Sequence, residues 1–141
     1  MNLNANLLRF LTFTVVLVPA LAVAVTARPV AAKAEPKLAH MVFFTLKDRS
    51  EASVDAFVAS CDKYLAGHAG TLHYSVGKMA KDVVEPVSDR EFDVALHLIF
   101  ENKDGNAAYQ KSDRHVQFVE ENLPKFAKVR VFDSYLAPEV E

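Results

Sequence analysis

From His40 to Leu46 the chain reads His-Met-Val-Phe-Phe-Thr-Leu, a run of β-branched and aromatic residues that predicts a strand. Period-2 spacing puts His40, Val42, Phe44 and Leu46 on one face, and Met41, Phe43 and Thr45 on the other. Both faces are largely apolar, so whatever fold forms must cover this strand on two sides. That requirement excludes a sheet with one wet face.

The remaining segments supply the first cover. Asp48-Arg-Ser-Glu51 starts a helix, with Asp48 and Glu51 spaced as a capping box and Ser50 as a rival cap. Val54, Phe57, Val58, Cys61 and Leu65 follow as an apolar stripe at helical spacing, and Gly67 ends it. Leu72–Ala80 predicts a second strand, in which Gly77 marks a bulge or a close backbone approach. Lys81–Glu91 is a charged connection holding Pro86, long enough to overhang a cavity. Phe92–Glu101 predicts a third strand, with Phe92, Val94, Leu96, Leu98 and Phe100 alternating with Asp93, Ala95, His97 and Ile99. Asn102–Asn106 reads as a turn into a helical stretch over Tyr109–Pro124, and Lys125–Leu136 as the last strand. The order β-α-β-β-α-β is that of a ferredoxin-like α+β domain, a four-stranded antiparallel sheet with helices on one face. The other face would expose Met41 and Phe43, a patch that soluble monomers limit. Pairing two copies about a two-fold axis hides it, so a homodimer through the open sheet face is expected.

Within Tyr109–Pro124 a phenol and an imidazole stand six residues apart across a break between two short helices. Asp113, or Ser112 before it, caps the second helix. His115 then falls in the first turn, where the positive end of the dipole favours a neutral ring. A neutral histidine against an apolar wall suits a general base, and a tyrosine suits a group that holds a carbonyl. The same pair also fits an ordinary half-buried helix junction.

The N-terminus has its own logic. Met1–Arg9 carries one basic side chain and no acid, Phe10–Val25 is an apolar run broken only by Thr12, Thr14 and Pro19, and small residues follow. This is the order of a secretory signal peptide, with cleavage expected after Ala27 or Ala34. The run is short for a spanning helix, so residues 1–34 read as signal peptide and short joint rather than as an anchor. The expected location is periplasmic or secreted, with no stable membrane association after cleavage. Removing Arg9, Arg28 and Lys33 makes the remainder three units more acidic than the net −2 of the full chain. An acidic domain excludes a nucleic-acid binder of the usual basic kind.

Other chemistries find no support. Cys61 is the single cysteine, so no internal disulfide forms, and it reads as a small buried hydrophobe. The five histidines (His40, His68, His73, His97 and His115) show no ligand-pair spacing, so no metal is expected. His97 reads as a solvated or sheet-facing residue, and His68 and His73 as loop edges. Phosphate-cradling glycine loops and a serine triad order are missing, and no cofactor is expected.

Several features together resemble the stress-responsive A/B barrel (Dabb) family of the dimeric α+β barrel group. They are His40 opening the first strand, Gly77 in the second, Phe92-Asp93 opening the third, Tyr109-x5-His115 followed by Pro124, and Phe132-Asp133 near the end. The resemblance spans Leu38–Leu136, leaving residues 137–141 as an acidic tail. It implies a pocket between sheet and helices lined by Val42, Phe44, Val94 and Leu96. By similarity to a plant polyketide cyclase of that family, His115 would be a general base, Tyr109 would position a carbonyl, and His40 would be a further pocket histidine. The leading expectation is a small-apolar-ligand-binding barrel with no assigned reaction. A carbon–carbon lyase of aldol type and a cofactor-free monooxygenase remain as alternatives.

Overall fold

Four alternating segments pair into one antiparallel sheet in the order Thr71–Lys78, Val94–Phe100, Leu38–Leu46, Phe126–Tyr135. The computed structural model describes residues 35–138. The export segment read from residues 1–34, and the last three residues of the acidic tail, lie outside that range. The strands are β1 (Leu38–Leu46), β2 (Thr71–Lys78), β3 (Val94–Phe100) and β4 (Phe126–Tyr135). The helices are α1 (Glu51–Leu65), α2 (Lys103–Lys111) and α3 (Asp113–Asn122), with a 3₁₀ turn at Leu123–Lys125. Among these residues no helix is long and apolar enough to cross a membrane.

β1 lies between β3 and β4, as a strand apolar on both faces must. Its inward residues Leu38, Val42, Phe44 and Leu46 join Val94, Leu96, Leu98 and Phe100 of β3 beneath the helices. Phe44, Phe57, Phe118 and Phe126 form an aromatic cluster with ring centroids 4.9 to 6.2 Å apart. Burying each such ring contributes about 1.5–3 kcal/mol, which makes this cluster the main anchor of α1 and α3 on the sheet. Polar ties fix the helix pair. Arg114 Nη2 donates to the carbonyls of Lys63 and Ala66 at 3.0 and 2.8 Å. The fully buried Asn122 amide donates to Ser60 Oγ and Phe118 O, so its own donors are met in the core.

Several sequence expectations change in detail. Ser50, not a capping box, caps α1, and its hydroxyl accepts from Ser53 N. Asp48 instead receives Ser50 N at 3.0 Å and steadies the cap from outside. The expected turn at Asn102–Asn106 is the cap and first turn of α2, because the Asn102 side chain accepts from both Asp104 N and Gly105 N. Gly77 makes neither a bulge nor a close approach: it pairs in register with Ala95, and a Cβ there would meet nothing within 4 Å. The close approach lies elsewhere. A Cβ on Gly70 would stand 3.2 Å from Gly105 Cα, and one on Gly105 would stand 3.3 Å from Gly70 O. Two glycines let the start of α2 rest on the loop before β2.

Phe92 also departs from its expected place. It precedes β3 and turns to the opposite face, where its ring meets Phe43 edge-on at 5.1 Å. The cause is Asp93, a buried carboxylate that accepts from Leu46 N at 2.9 Å and from Arg49 Nε at 2.8 Å. Satisfying that charge ends the alternation one step early. The connection before it therefore folds over the open sheet face, with Glu91 O accepting from Thr45 Oγ1 and Asp89 paired to Arg130. Met41 and Phe43 are consequently half-buried rather than bare, while Phe132 beside them stays 54% exposed.

Candidate ligand site

β4 is an edge strand that the helices leave largely uncovered, so a hollow remains between β1, β4 and α3. Its volume is about 270 Å³. The walls are His40, Val42 and Phe44 from β1, Leu96 from β3, Val129 and Val131 from β4, and Phe118, Val119 and Leu123 from α3 and the turn after it. Tyr109, Gln110 and His115 close one end.

That end is built by a helix break. Ser112 ends α2 and caps α3: its hydroxyl donates to Tyr109 O at 2.7 Å and accepts from His115 N at 3.3 Å. One serine thus sets Tyr109 and His115 relative to each other, and their rings meet at 4.7 Å. Burial holds the His115 imidazolium below its ordinary range, only partly offset by a hydrogen bond to the Gln110 backbone. The neighbouring His40 and His68 add repulsion in the same direction. A neutral ring at neutral pH is the outcome. The Tyr109 ring is almost fully buried, and burial raises its phenol above the ordinary range. Among the described residues its hydroxyl has no hydrogen-bond partner, so its donor is unspent.

His40 is oriented from both sides. Its Nδ1 stands 2.6 Å from Asp133 Oδ1 on the adjacent strand, and its Nε2 stands 3.4 Å from the Gln110 amide nitrogen. A carboxylate accepts only, so Nδ1 carries the proton in the neutral ring. Nε2 is then an acceptor, held loosely by Gln110 and facing the hollow. A histidine with a carboxylate on one nitrogen and a loosely held lone pair on the other is equipped to take a proton.

Of the residues singled out from sequence, His40, Val42, Phe44, Leu96, Tyr109 and His115 come together around this hollow. Val94 does not: it is fully buried in the core between sheet and α1, off the lining. Val94 lies on β3, which β1 separates from β4, and its register partner Phe44 takes the place on the lining. Sequence reasoning missed Asp133, Gln110 and His68. His68, expected at a loop edge, packs edge-on against Tyr109 at 4.9 Å and is fixed by a 2.8 Å bond between Nε2 and Tyr64 O. Asp133 faces His40 because β4 pairs with β1 in that register, which no local pattern announces. Cys61 lies beneath, fully buried, with burial pushing its thiol up to about 12, which leaves it an inert packing group. Among the described residues no cluster of side chains is suited to hold a metal ion.

Comparison with known proteins places this architecture. The family model described as Stress Responsive A/B Barrel Domain matches residues 38–136. No curated protein sequence matches the chain significantly. Among solved structures, a Dabb family protein from Mesorhizobium loti with a ferredoxin-like fold is 22% identical, covering 73% of this chain and 99% of that one, with a TM-score of 0.61. A dimeric ferredoxin-like protein of unknown function from Thermobifida fusca is 18% identical over 72% of this chain and 92% of its own, at 0.61. A hydroxynitrile lyase from Passiflora edulis is 20% identical over 77% of this chain and all of its own, at 0.60. At such identities the likeness establishes the fold.

Proposed function

The chain belongs to the stress responsive A/B barrel domain family, and from that membership and the lining of its hollow we propose that it is an exported homodimeric protein that binds a small, largely apolar molecule between sheet and helices. The observation that carries this reading is the hollow itself. It is apolar along most of its wall, with a few convergent polar groups at one end, which is the usual form of a small-ligand site.

The homodimer rests on the open sheet face. Phe43, Phe132 and Phe92 form an aromatic patch there, bordering a second hollow of about 240 Å³. A second copy would cover it, and a neighbour of the same fold is described as dimeric. Export rests on the order of charge, apolar run and small residues in the first 34 positions.

A second reading has one specific observation behind it. The Asp133–His40 pair turns Nε2 toward the hollow, an acceptor in the neutral ring, while His115 stays neutral nearby, so general-base chemistry at a ligand carbon or oxygen is within reach. Aldol-type cleavage or formation of a carbon–carbon bond fits, with His40 or His115 as base and Tyr109 holding the carbonyl oxygen. A structural neighbour is a hydroxynitrile lyase.

Native mass spectrometry of the purified protein, followed by solvent extraction, tests the ligand. A bound small molecule, or saturable binding of apolar probes, is expected; neither appearing would end the binding reading. Sedimentation at micromolar concentration tests the assembly. A dimer that Phe132→Asp splits is expected, and a wild-type monomer would end the dimer reading.

A further inference from the structure

The lining of the hollow is divided, and the division narrows the ligand. All its hydrogen-bonding groups stand at one end: His40 with Asp133 behind it, Gln110, Tyr109 and His115. Toward the other end β1 carries Val42 and then Phe44, β4 answers with Val131 and Val129 in register, and Phe118, Leu123 and Phe126 complete a hydrocarbon wall. His40 and Phe44 are four strand residues apart, about 13 Å. A hollow of about 270 Å³ holds the volume of roughly nine waters. The ligand it fits is compact, with one polar end and one hydrocarbon end.

The direction of the hydrogen bonds narrows it again. In the neutral ring Asp133 takes the Nδ1 proton, so Nε2 of His40 offers the hollow a lone pair and asks for a donor. The Gln110 amide offers donors and is weakly engaged, at 3.4 Å to His40 and 3.5 Å to Asn106 Oδ1. The Tyr109 hydroxyl is a further unspent donor. A ligand hydroxyl meets both demands at once, giving its proton to Nε2 and accepting from Gln110 or Tyr109. A carbonyl or ether gives Nε2 no donor beyond the loosely held Gln110 amide. A carboxylate sets acceptor against acceptor with the Asp133 charge behind. An ammonium must strip water from its remaining N–H groups against valine and leucine walls.

Resting on the ligand-binding reading above, we propose that the ligand is a neutral molecule with a one-ring or similarly compact hydrocarbon body and a single hydroxyl that donates to His40 Nε2. Asp133 acts as a positioning residue that selects the Nδ1–H tautomer of the neutral ring, in which Nε2 accepts.

The test uses three probes matched in size on the purified protein: cyclohexanol, cyclohexanone and cyclohexanecarboxylate, with Kd read by NMR titration. Cyclohexanol is expected to bind tighter than cyclohexanone by about fivefold, the worth of one hydrogen bond, and the carboxylate weakest. In His40→Leu the alcohol should lose that preference while the ketone binds as before. The wild-type series decides even if that variant does not fold. Ketone or carboxylate binding as tightly as the alcohol would overturn the hydroxyl assignment and leave the binding reading standing. No binding of any probe would overturn both.

Discussion

The Asp133 carboxylate lies 2.6 Å from Nδ1 of His40, and the two residues are direct register partners on β4 and β1. A contact between neighbouring strands is set by the sheet, not by flexible side-chain choice. His40 therefore arrives at the hollow with its tautomer fixed.

That fixation is measurable. In wild type, ¹⁵N shifts of the His40 ring at a pH where it is neutral should report a protonated Nδ1 and a bare Nε2. Asp133→Asn can turn its amide N–H toward Nδ1, so a substantial share of the Nε2–H tautomer is expected, and hydroxyl probes should weaken about two- to tenfold. An unchanged tautomer would mean that Asp133 does not orient the ring.

Ser112→Ala removes a bond at each helix end. Loss of the α3 cap should cost about 1 kcal/mol, within a range of about 0.5–2, read as a lower denaturation midpoint at unchanged m-value. The freed junction should also loosen the Tyr109–His115 ring contact, visible as broadened ring resonances for both residues. Stability lost without that broadening would place the cap outside the site.

The glycines give opposite expectations. Gly70 has φ +77° and no room beside Gly105, so Gly70→Ala should destabilise by at least about 1–2 kcal/mol from the left-handed backbone alone. Gly77 sits at an ordinary φ with open space, so Gly77→Ala should be neutral or stabilise by up to about 1 kcal/mol. Urea titrations of the two variants compare them directly.

His115 predicts a pH dependence. Its folded-state pKa lies below the ordinary value of 6.5 because burial penalises the cation, with His40 and His68 repelling it further. Between the two values the unfolded chain binds more protons, so stability rises with pH there. Its contribution is therefore complete above about 6.5 and is lost as pH falls toward the depressed folded value. Unfolding midpoints of His115→Gln should show a shallower acid limb than wild type.

Much of the architecture was legible because it is written in short-range periodicity. The two apolar faces of β1, the stripe Val54-Phe57-Cys61-Leu65 and the helix break at Ser112 each follow from local spacing, and together they fix the β-α-β-β-α-β order. The failures have a common physical source. Phe92 left its predicted face because a buried Asp93 needed Leu46 N and Arg49, a demand made by residues over forty positions away. The close approach that a glycine in β2 suggests falls to Gly70 and Gly105 rather than to Gly77, since which backbones cross is a tertiary fact. Of the site, the Tyr109–His115 pair was readable from helix spacing. Asp133, Gln110 and His68 were not, because strand register and loop docking place them.

The hollow beneath β4 can be interrogated with methyl-labelled protein titrated with cyclohexanol. Saturable shifts are expected at Val42, Val119, Val129 and Val131, which line it, together with the His40 ring, and none at the Met41 methyl on the opposite sheet face. Shifts confined to Met41 and the Phe43–Phe132 patch, or no saturable shift anywhere, would contradict it.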